Sequence, residues 1–291
     1  MNMTKVLITG ANGYLGSRLV ERLSKTKTVF PLVRESKRDF NKKDVVFKEF
    51  SDLEKIILKI QPDTVIHTAC CYGRSGEPIE NVYTANLTFG AELIRCLSNC
   101  EKLTSFVNIG TTLNPKINTY AHTKNLFSML LQNVKTTNIS KIDLKLEHFY
   151  GPGDHENKFP TMLIRKMLAG VESIDLSSCN NKRNFISVYD VETAIETVIN
   201  NSIRKSEAGY YQHVIKSEEE IELKKFVQIV KKLCGSKTKL NFGALPDRVL
   251  ESDPRGTYEH IKIVENWEPH IPLIDGLKAM IEEEKNVKYG K

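Results

Sequence analysis

The stretch ITGANGYLGSRLV, residues 8–20, places three glycines at regular spacing between a short β-rich run and a helical run. Gly10, Gly13 and Gly16 give the pattern G-x-x-G-x-x-G. Glycines so placed allow a tight turn, close approach of the backbone to a pyrophosphate, and close packing of helix on strand. The helix that follows offers its N-terminal N–H groups and the positive end of its dipole to phosphates. The stretch therefore predicts a dinucleotide-binding turn, with these candidate contact residues: Gly10, Asn12, Gly13, Tyr14, Leu15 and Gly16.

Apolar runs typical of strands alternate with helical runs through the first half of the chain. The strand-like runs lie at 5–10, 28–33, 44–50, 63–69, 103–110 and 142–149. Continuously apolar strands separated by helices predict a parallel sheet that is covered on both faces. We therefore expect an α/β fold, a Rossmann-type doubly wound parallel sheet with a smaller C-terminal substrate-binding lobe.

The alternation ends after YGPGD, residues 150–154, and the elements that follow are shorter and less regular. The expected division gives residues 1–152 to a dinucleotide-binding Rossmann domain, to which 183–202 returns. The remaining segments, 153–182 and 203–291, then form the substrate-binding lobe.

Composition argues against several classes of function. The 291 residues are 40% hydrophobic and 27% charged, as in an ordinary globular protein, and no apolar run approaches the roughly 18 residues of a membrane span. The first residues lead straight into a strand-like run without a signal peptide, so a cytoplasmic enzyme is expected. The net charge of +6 comes from lysines scattered among acids, which suits small anionic substrates and gives nucleic-acid binding no support. Six cysteines without a C-x-x-C pair are expected to be free thiols rather than metal ligands.

The loop LVRESKR, residues 32–38, indicates which dinucleotide to expect. An acidic residue at the end of the second strand would bind the ribose hydroxyls of NAD, whereas this loop has Arg34, Ser36, Lys37 and Arg38, with Glu35 as its only acid. The candidate cofactor contacts among them are Arg34, Ser36 and Lys37. A guanidinium and a hydroxyl suit the 2′-phosphate of NADP, so NADPH is the expected cofactor. The alternative is a solvated loop of charges. Candidate adenine contacts follow the third strand: Asp52 and Leu53.

The stretch NTYAHTKNLF, residues 118–127, sets Tyr120 and Lys124 four residues apart on a helical run, so that the two side chains share a face. A lysine cation is expected to lower the pKa of the tyrosine from its ordinary value of about 10. Such a tyrosine exchanges a proton with a hydroxyl or carbonyl oxygen while a hydride moves. Thr111 offers a hydroxyl that polarises the same oxygen, and Thr112 is the second choice. The alternative is that the two residues have this spacing by chance on a helix surface. The position of the helix after a strand of a dinucleotide-binding fold favours an active site.

Seven stretches of the chain resemble one family in content and order. They are ITGANGYLG, DTVIHTA, TANLTFGAELI, TYAHTK, LEHFYGPGD, KRNFISVYDV and NWEP. On these stretches the chain resembles, over nearly its whole length, an extended short-chain dehydrogenase/reductase of the NAD-dependent epimerase/dehydratase family. Most members of that family act on nucleotide-linked sugars. The resemblance implies that Thr111, Tyr120 and Lys124 form a catalytic triad.

Further cofactor and assembly features are implied by the resemblance. His67 and Ala69 would lie beside the cofactor. Asn86 would be a structural residue behind the site, and we include it among the expected cofactor-binding residues. Family members often pair two helices per subunit into a four-helix bundle. A homodimer is therefore expected, with the helices near 81–99 and 118–135 as candidates.

The resemblance also implies a substrate-binding set. His148 would lie near the bound sugar, at a position where the family commonly has Asn. The substrate diphosphate would be held by Arg183 and Arg248. Lys158 and Phe159 would line the nucleotide, so the expected partner is a nucleotide-diphosphate sugar.

The residues after the catalytic hydroxyl narrow the reaction. The 4,6-dehydratases resemble one another in an Asp-Glu pair there, whereas this chain has Thr112 and Leu113, which cannot serve as that acid or base. Epimerase/reductases of the fucose-forming type have a Cys near the place of Leu113. Only eight residues separate Thr111 from Tyr120, a spacing that resembles the CDP-paratose/CDP-abequose synthase group.

The expected function is therefore NADPH-dependent reduction of the 4-keto group of a nucleotide-linked 6-deoxy sugar, CDP-, dTDP- or GDP-linked hexose or heptose, for surface polysaccharides. A C4 epimerase with retained NAD and an NADP-binding regulator without turnover are the alternatives. The loop CCYGRSGEP, residues 70–78, is expected to border the pocket. Its Arg74 either contacts substrate or is solvated.

Overall fold

The computed structural model describes residues 3–38, 40, 44–101, 104–204, 207–247, 258 and 260–289. The strands are β1 Lys5–Thr9, β2 Thr28–Val33, β3 Val45–Val46, β4 Thr64–His67, β5 Thr104–Thr111, β6 Ile139–Leu146, β7 His148–Tyr150, β8 Ser173–Leu176, β9 Lys182–Ser187, β10 Gly209–Ile215, β11 Glu220–Glu222 and β12 Lys239–Phe242. The helices are α1 Tyr14–Leu23, α2 Ser51–Ile60, α3 Ile79–Tyr83, α4 Phe89–Ser98, α5 Thr119–Asn133, α6 Phe159–Leu168, α7 Val188–Arg204, α8 Leu223–Leu233 and α9 Leu273–Tyr289. A π-helical turn, Thr84–Thr88, joins α3 directly to α4. Within the described residues, no helix has both the length and the apolar character needed to cross a membrane.

Seven parallel strands form one sheet in the order β10-β6-β5-β4-β1-β2-β3. β4, β5 and β6 are buried along their whole length, as expected for a parallel sheet whose two faces are both covered. The Rossmann-type α/β fold predicted from the sequence is confirmed.

The strand order reverses between β1 and β4. From β1 the chain continues to β2 and β3 on one side, then returns to build β4, β5, β6 and β10 on the other. In open parallel sheets, ligands bind beyond the carboxyl ends of the strands at such a reversal. The glycine turn follows β1 and the segment from Thr68 follows β4, so both lie at this point.

One apolar core packs helices α2, α4 and α5 against the large sheet. It combines strand residues with residues of α2, α4 and α5, among them Leu7, Val65, Phe106, Ile57, Leu93 and Phe127. Full burial of one such side chain stabilises the fold by about 1.5–3 kcal/mol. This core therefore holds α5, which carries Tyr120 and Lys124, in a defined position on the sheet.

Ion pairs connect α1 to α7. Arg18 pairs with Glu192, and Arg22 Nε lies 2.7 Å from Glu196 Oε2. Because each helix contributes residues four apart, both pairs lie along one line of contact. Helix α1, which follows the glycine turn, is thus held in place by ion pairs to α7 as well as by the packing of its apolar face.

The described chain divides into two compact units. The first comprises the segments within 1–146, 192–215 and 257–267, and the second comprises those within 147–191, 216–256 and 268–291. The first unit contains β10, which pairs with β6 in the large sheet, although the sequence-based division gave these residues to the lobe. The assignment of cofactor and substrate binding to separate domains stays a prediction.

The second unit combines two small sheets with helices α6, α8 and α9. Its sheets have the orders β11-β9-β7 and β12-β8. Phe185 and Phe226 stack in its core with ring centroids 4.0 Å apart. Arg165 binds Glu284 through two hydrogen bonds of 2.7 and 3.2 Å, which ties α6 to α9.

Candidate active site

Two of the three predicted turn glycines are required by the packing of the protein itself. Gly10 has φ +66°, and a Cβ added there would lie 2.6 Å from the Ala69 backbone. A Cβ added at Gly16 would lie 2.3 Å from the Gly10 carbonyl oxygen and 2.8 Å from Thr68 Oγ1. The ends of β1 and β4 and the start of α1 therefore meet without room for a side chain.

Gly13 has a different environment from the other two glycines. It is exposed, has φ −75°, and an added Cβ would meet only the Gly10 carbonyl oxygen, at 3.1 Å. It precedes α1, which has no side-chain cap and no acidic residue in its first turn. The amide groups of a first helical turn have no acceptors within the helix, so this exposed end suits the pyrophosphate of a dinucleotide. Tyr14 and Leu15, the other predicted contacts, form that first turn.

Asn12 links the glycine turn to the loop after β2. Its Nδ2 donates a 2.7 Å hydrogen bond to the Glu35 carbonyl oxygen. Its buried Oδ1 has no hydrogen-bond partner among the described residues. Buried polar atoms are usually paired. The Asn12 Oδ1 could therefore accept a hydrogen bond from a hydroxyl group of a bound ribose or of a phosphate-linked group.

The basic loop after β2 differs in detail from expectation. The Arg34 side chain is exposed, as a contact with a 2′-phosphate requires. The Ser36 hydroxyl, however, donates to the Asp44 carboxylate, and Lys37 lies 3.3 Å from the Glu35 carboxylate. Ser36 and Lys37 are themselves exposed, so the contacts of all three residues with a 2′-phosphate stay predictions.

Asp52 and Leu53 have roles in the fold itself. Asp52 Oδ2 accepts hydrogen bonds from the backbone N–H groups of Lys48 at 3.0 Å and Glu49 at 3.1 Å. These bonds lower the pKa of Asp52, because they favour its charged form. The Leu53 side chain is fully buried in the core, so any cofactor contact from it would come from its backbone.

The resemblance places His67 beside the cofactor, which stays a prediction, and the structure shows its ring inside the apolar core. The ring is fully buried and packs against Phe89, Phe106 and Phe127. Nδ1 lies 2.9 Å from Thr9 Oγ1. Burial lowers the pKa of His67 well below its ordinary value, so the ring is neutral and belongs to the core.

Ala69, by contrast, lies directly against the glycine turn. Its backbone N–H donates to Thr9 Oγ1 at 3.3 Å. The chain after β4 is thus fixed to the end of β1 at the point where the strand order reverses.

Tyr120 and Lys124 lie in the first two turns of α5. The helix is capped by Asn118, whose Oδ1 accepts from the Ala121 N–H at 2.8 Å. Lys124 is only 2% exposed, while Tyr120 is half-buried. A cation almost removed from water is costly unless it serves a partner, which supports a role for Lys124 beyond that of a surface lysine.

Thr111 ends β5 and Thr112 follows it directly. Thr111 Oγ1 accepts from the Leu113 N–H at 3.2 Å, and the Thr112 hydroxyl donates to the Leu146 carbonyl oxygen at 3.2 Å. Asn125 Nδ2 then donates to the Leu113 carbonyl oxygen at 3.1 Å. The strand end that carries Thr111 is therefore tied to the helix that carries Tyr120 and Lys124.

The pKa of Tyr120 moves in the direction opposite to the sequence-based expectation. Burial raises it, with a smaller contribution in the same direction from Cys70, while Arg74 and a hydrogen bond from Tyr72 lower it. Burial also lowers the pKa of Lys124, against smaller opposing contributions from Cys70 and Asp143. Tyr120 is thus a protonated phenol at neutral pH, which suits a proton donor.

Sequence reasoning missed Tyr72. Its ring stacks on Tyr120, with centroids 4.7 Å apart and an interplanar angle of 28°. The Arg74 guanidinium lies 5.5 Å from the centroid of the Tyr72 ring. Tyr72 and Arg74 line a cavity of about 210 Å³ together with Asn118 and Thr119 at the start of α5. An aromatic residue in a predicted pocket loop was the available signal.

Asn86 fixes the loop that carries Tyr72. Its Oδ1 accepts from the Cys71 N–H at 2.7 Å, and its Nδ2 donates to the Cys71 carbonyl oxygen and to Thr123 Oγ1, both at 2.9 Å. Asn86 is fully buried within the π-helical turn. Such turns occur frequently at functional sites, and this one directs an amide to both the loop and α5.

The predicted substrate residues lie in the second unit. His148 Nδ1 lies 3.1 Å from the Glu147 carboxylate, and the Lys158 ammonium lies 4.7 Å from the Phe149 ring centroid. Arg183 is mostly buried and donates to the Lys182 carbonyl oxygen at 2.9 Å. Phe159 packs near Phe226, while Arg248 lies outside the described residues. Their roles as substrate contacts stay predictions.

The described part of the chain contains no group of three or more His, Cys, Asp or Glu side chains that could bind a metal ion. The described cysteines are all free thiols, and Cys70 is exposed rather than buried.

The chain is similar to known proteins over nearly its whole length. The model of the NAD dependent epimerase/dehydratase family matches residues 6–211. CDP-abequose synthase of Salmonella muenchen is 26% identical over 295 residues, covering 95% of this chain and 97% of that protein. Among solved structures, UDP-glucuronic acid 4-epimerase from Bacillus cereus in complex with NAD has a TM-score of 0.79 at 19% identity, over 99% of this chain and 98% of that one. UDP-glucose 4-epimerase from Thermotoga maritima with UDP-glucose has a TM-score of 0.77 at 17% identity, over 98% and 100% of the two chains.

Proposed function

Because the chain belongs to the NAD dependent epimerase/dehydratase family, we propose that it is an NADPH-dependent reductase of a nucleotide-linked sugar. Its substrate is the 4-keto form of a 6-deoxy sugar, and its product serves the formation of surface polysaccharides. The observation that carries the proposal is the Tyr120–Lys124 pair on α5, in which Lys124 is buried and Tyr120 is a half-buried, protonated phenol. The CDP-abequose synthase relative favours a CDP-linked sugar over dTDP- and GDP-linked ones.

Each residue of the triad has a defined task in this reaction. When bound, the dinucleotide supplies the hydride that reduces the carbonyl carbon. Tyr120 donates its phenolic proton to the carbonyl oxygen, which becomes a hydroxyl. Lys124 binds the ribose next to the nicotinamide and stabilises the negative charge that forms on Tyr120. Thr111 donates a hydrogen bond to the same carbonyl oxygen.

The segment after Thr111 supports reduction over dehydration. Thr112 uses its hydroxyl to bind the Leu146 carbonyl oxygen, and Leu113 is apolar. Elimination of water requires an acid and a base close to the sugar ring, and neither side chain supplies one.

A C4 epimerase with retained NAD is the second candidate. It is favoured by the likeness of the fold to two 4-epimerases. An epimerase takes a hydride from the sugar and returns it, so it needs Tyr120 first as a base. The raised pKa of Tyr120 keeps the phenol protonated before the reaction, which is the state that a reductase needs at the start.

Coenzyme consumption with a panel of CDP-, dTDP- and GDP-linked 4-keto-6-deoxy sugars tests the proposed function. We expect NADPH to be oxidised in proportion to product, with the new C4 configuration read by NMR. Purified protein that retains NAD and interconverts C4 epimers without consuming NADPH would instead establish the epimerase.

The substitution Arg34→Ala tests the choice of coenzyme. A charge-assisted hydrogen bond to a phosphate contributes about 1.5–3 kcal/mol, so KM for NADPH is expected to rise about 10- to 100-fold. KM for NADH is expected to stay unchanged, because NADH has no 2′-phosphate. Arg38→Ala, a change of the same charge in the same exposed loop, is the matched control. An equal effect of Arg34→Ala on both coenzymes would contradict a phosphate contact.

A further inference from the structure

A second phenol lies against the proposed proton donor. The rings of Tyr72 and Tyr120 stack at 4.7 Å, and Tyr72 is also hydrogen-bonded to Tyr120. Stacked aromatic rings attract one another beyond simple apolar contact. The Tyr120 hydroxyl, the proposed proton donor, therefore has the Tyr72 hydroxyl as a neighbour in a defined position.

The position of Tyr72 is set by the fold rather than by a loose loop. Both backbone groups of Cys71, the preceding residue, are bound by the side chain of Asn86. The same amide donates to Thr123, which lies on α5 between Tyr120 and Lys124. The segment that carries Tyr72 is thus fixed to the helix that carries Tyr120.

The charged and titratable groups around Tyr120 come from two elements, the loop after β4 and α5. Cys70, Tyr72 and Arg74 act on it from the loop after β4, and Lys124 lies one turn further along its own helix. The Arg74 cation lies close to the Tyr72 ring. Negative charge on either phenol oxygen is therefore formed beside a cation and a hydrogen-bond donor.

We propose that Tyr72 is a positioning residue that stabilises the Tyr120 phenolate and returns its proton. In the reduction, the Tyr120 O–H bond breaks and its proton forms the new hydroxyl of the sugar. The Tyr72 hydroxyl donates to the phenolate oxygen, transfers its own proton to it, and takes a replacement from water in the adjoining cavity. The balance is one solvent proton consumed for each carbonyl reduced. This inference rests on the proposed role of Tyr120 as the acid.

The variant Tyr72→Phe tests the inference in the full chain, because it keeps the stacked ring and removes only the hydroxyl. With NADPH and the best keto sugar of the panel, kcat is expected to fall about 10- to 100-fold, as for loss of a hydrogen bond to a charged oxygen. KM and the thermal midpoint are expected to stay unchanged. The alkaline limb of the pH profile of kcat is expected to move to higher pH, since the phenolate loses a donor that favours it.

Tyr83→Phe is the matched control. It removes one phenolic hydroxyl from the neighbouring helix α3, where the ring faces His122 at 6.4 Å, and it should leave kcat unchanged. Wild-type kcat in Tyr72→Phe would overturn the inference, as would a loss of kcat that follows a loss of thermal stability. Full activity in Tyr120→Phe as well would instead overturn the proposed acid, so the two failures are distinguishable.

Discussion

Replacement of Tyr120 by Phe is expected to lower kcat by about 10²–10⁴-fold, the usual contribution of a positioned acid. Phe keeps the ring that stacks on Tyr72 and removes only the transferable proton. Binding of NADPH, followed by fluorescence titration, is expected to stay close to that of the wild type. The loss would then lie in the chemical step rather than in assembly of the site.

The pH dependence follows from the raised pKa of Tyr120. An acid is active while it is protonated, so activity falls only as pH rises through its pKa. Since burial raises that pKa, reduction is expected to persist well above neutral pH. A Tyr120→Phe enzyme with unchanged kcat, or a wild-type enzyme whose activity falls as pH decreases to neutral, would contradict the assignment.

Replacement of Gly16 by Ala is expected to have the largest effect on stability. The new methyl group would lie 2.3 Å from the Gly10 oxygen and 2.8 Å from the Gly10 carbonyl carbon. These are backbone atoms that cannot rotate away, so the cost is expected at or above the upper end of the about 1–3 kcal/mol typical of overpacking. Urea unfolding followed by circular dichroism measures it, and NADPH binding is expected to be lost in parallel.

Gly13→Ala, at the middle glycine of the same pattern, provides the matched control. Its backbone conformation is open to any residue, and its added methyl would meet one oxygen at 3.1 Å on an exposed surface. Stability is expected to change little, while NADPH affinity falls because the methyl occupies space at the helix N-terminus. A larger loss of stability in Gly13→Ala than in Gly16→Ala would contradict this division of roles.

The fold could be predicted from the sequence because it depends on local patterns. Continuous apolar strands and three glycines at fixed spacing specify a parallel sheet with a tight turn after its first strand. The position of Tyr120 and Lys124 on one helix also follows from spacing alone. Each of these features is encoded by about 15 neighbouring residues. Helical and strand periodicities can be recognised over that length.

The parts that could not be predicted depend on contacts between distant segments. Tyr72 meets Tyr120 only because the loop after β4 folds over α5. The Ser36 hydroxyl donates to Asp44, eight residues further along the chain, a contact that the composition of the loop does not reveal. The pKa of Tyr120 depends on burial, which no spacing of tyrosine and lysine reveals.

The π-helical turn, Thr84–Thr88, makes the length of this segment as important as its composition. A π turn contains one residue more than a regular α-helical turn. Loss of one residue there would let the helix become regular while α4 keeps its register on the sheet, because the extra residue is taken up within that one turn. Leu93 and Leu97 would stay buried, whereas Asn86 would lose the geometry that directs its amide to both Cys71 and Thr123. The wide turn therefore serves the loop beside Tyr120 rather than the core, and a single-residue deletion in it is expected to displace that loop in a protein that still folds.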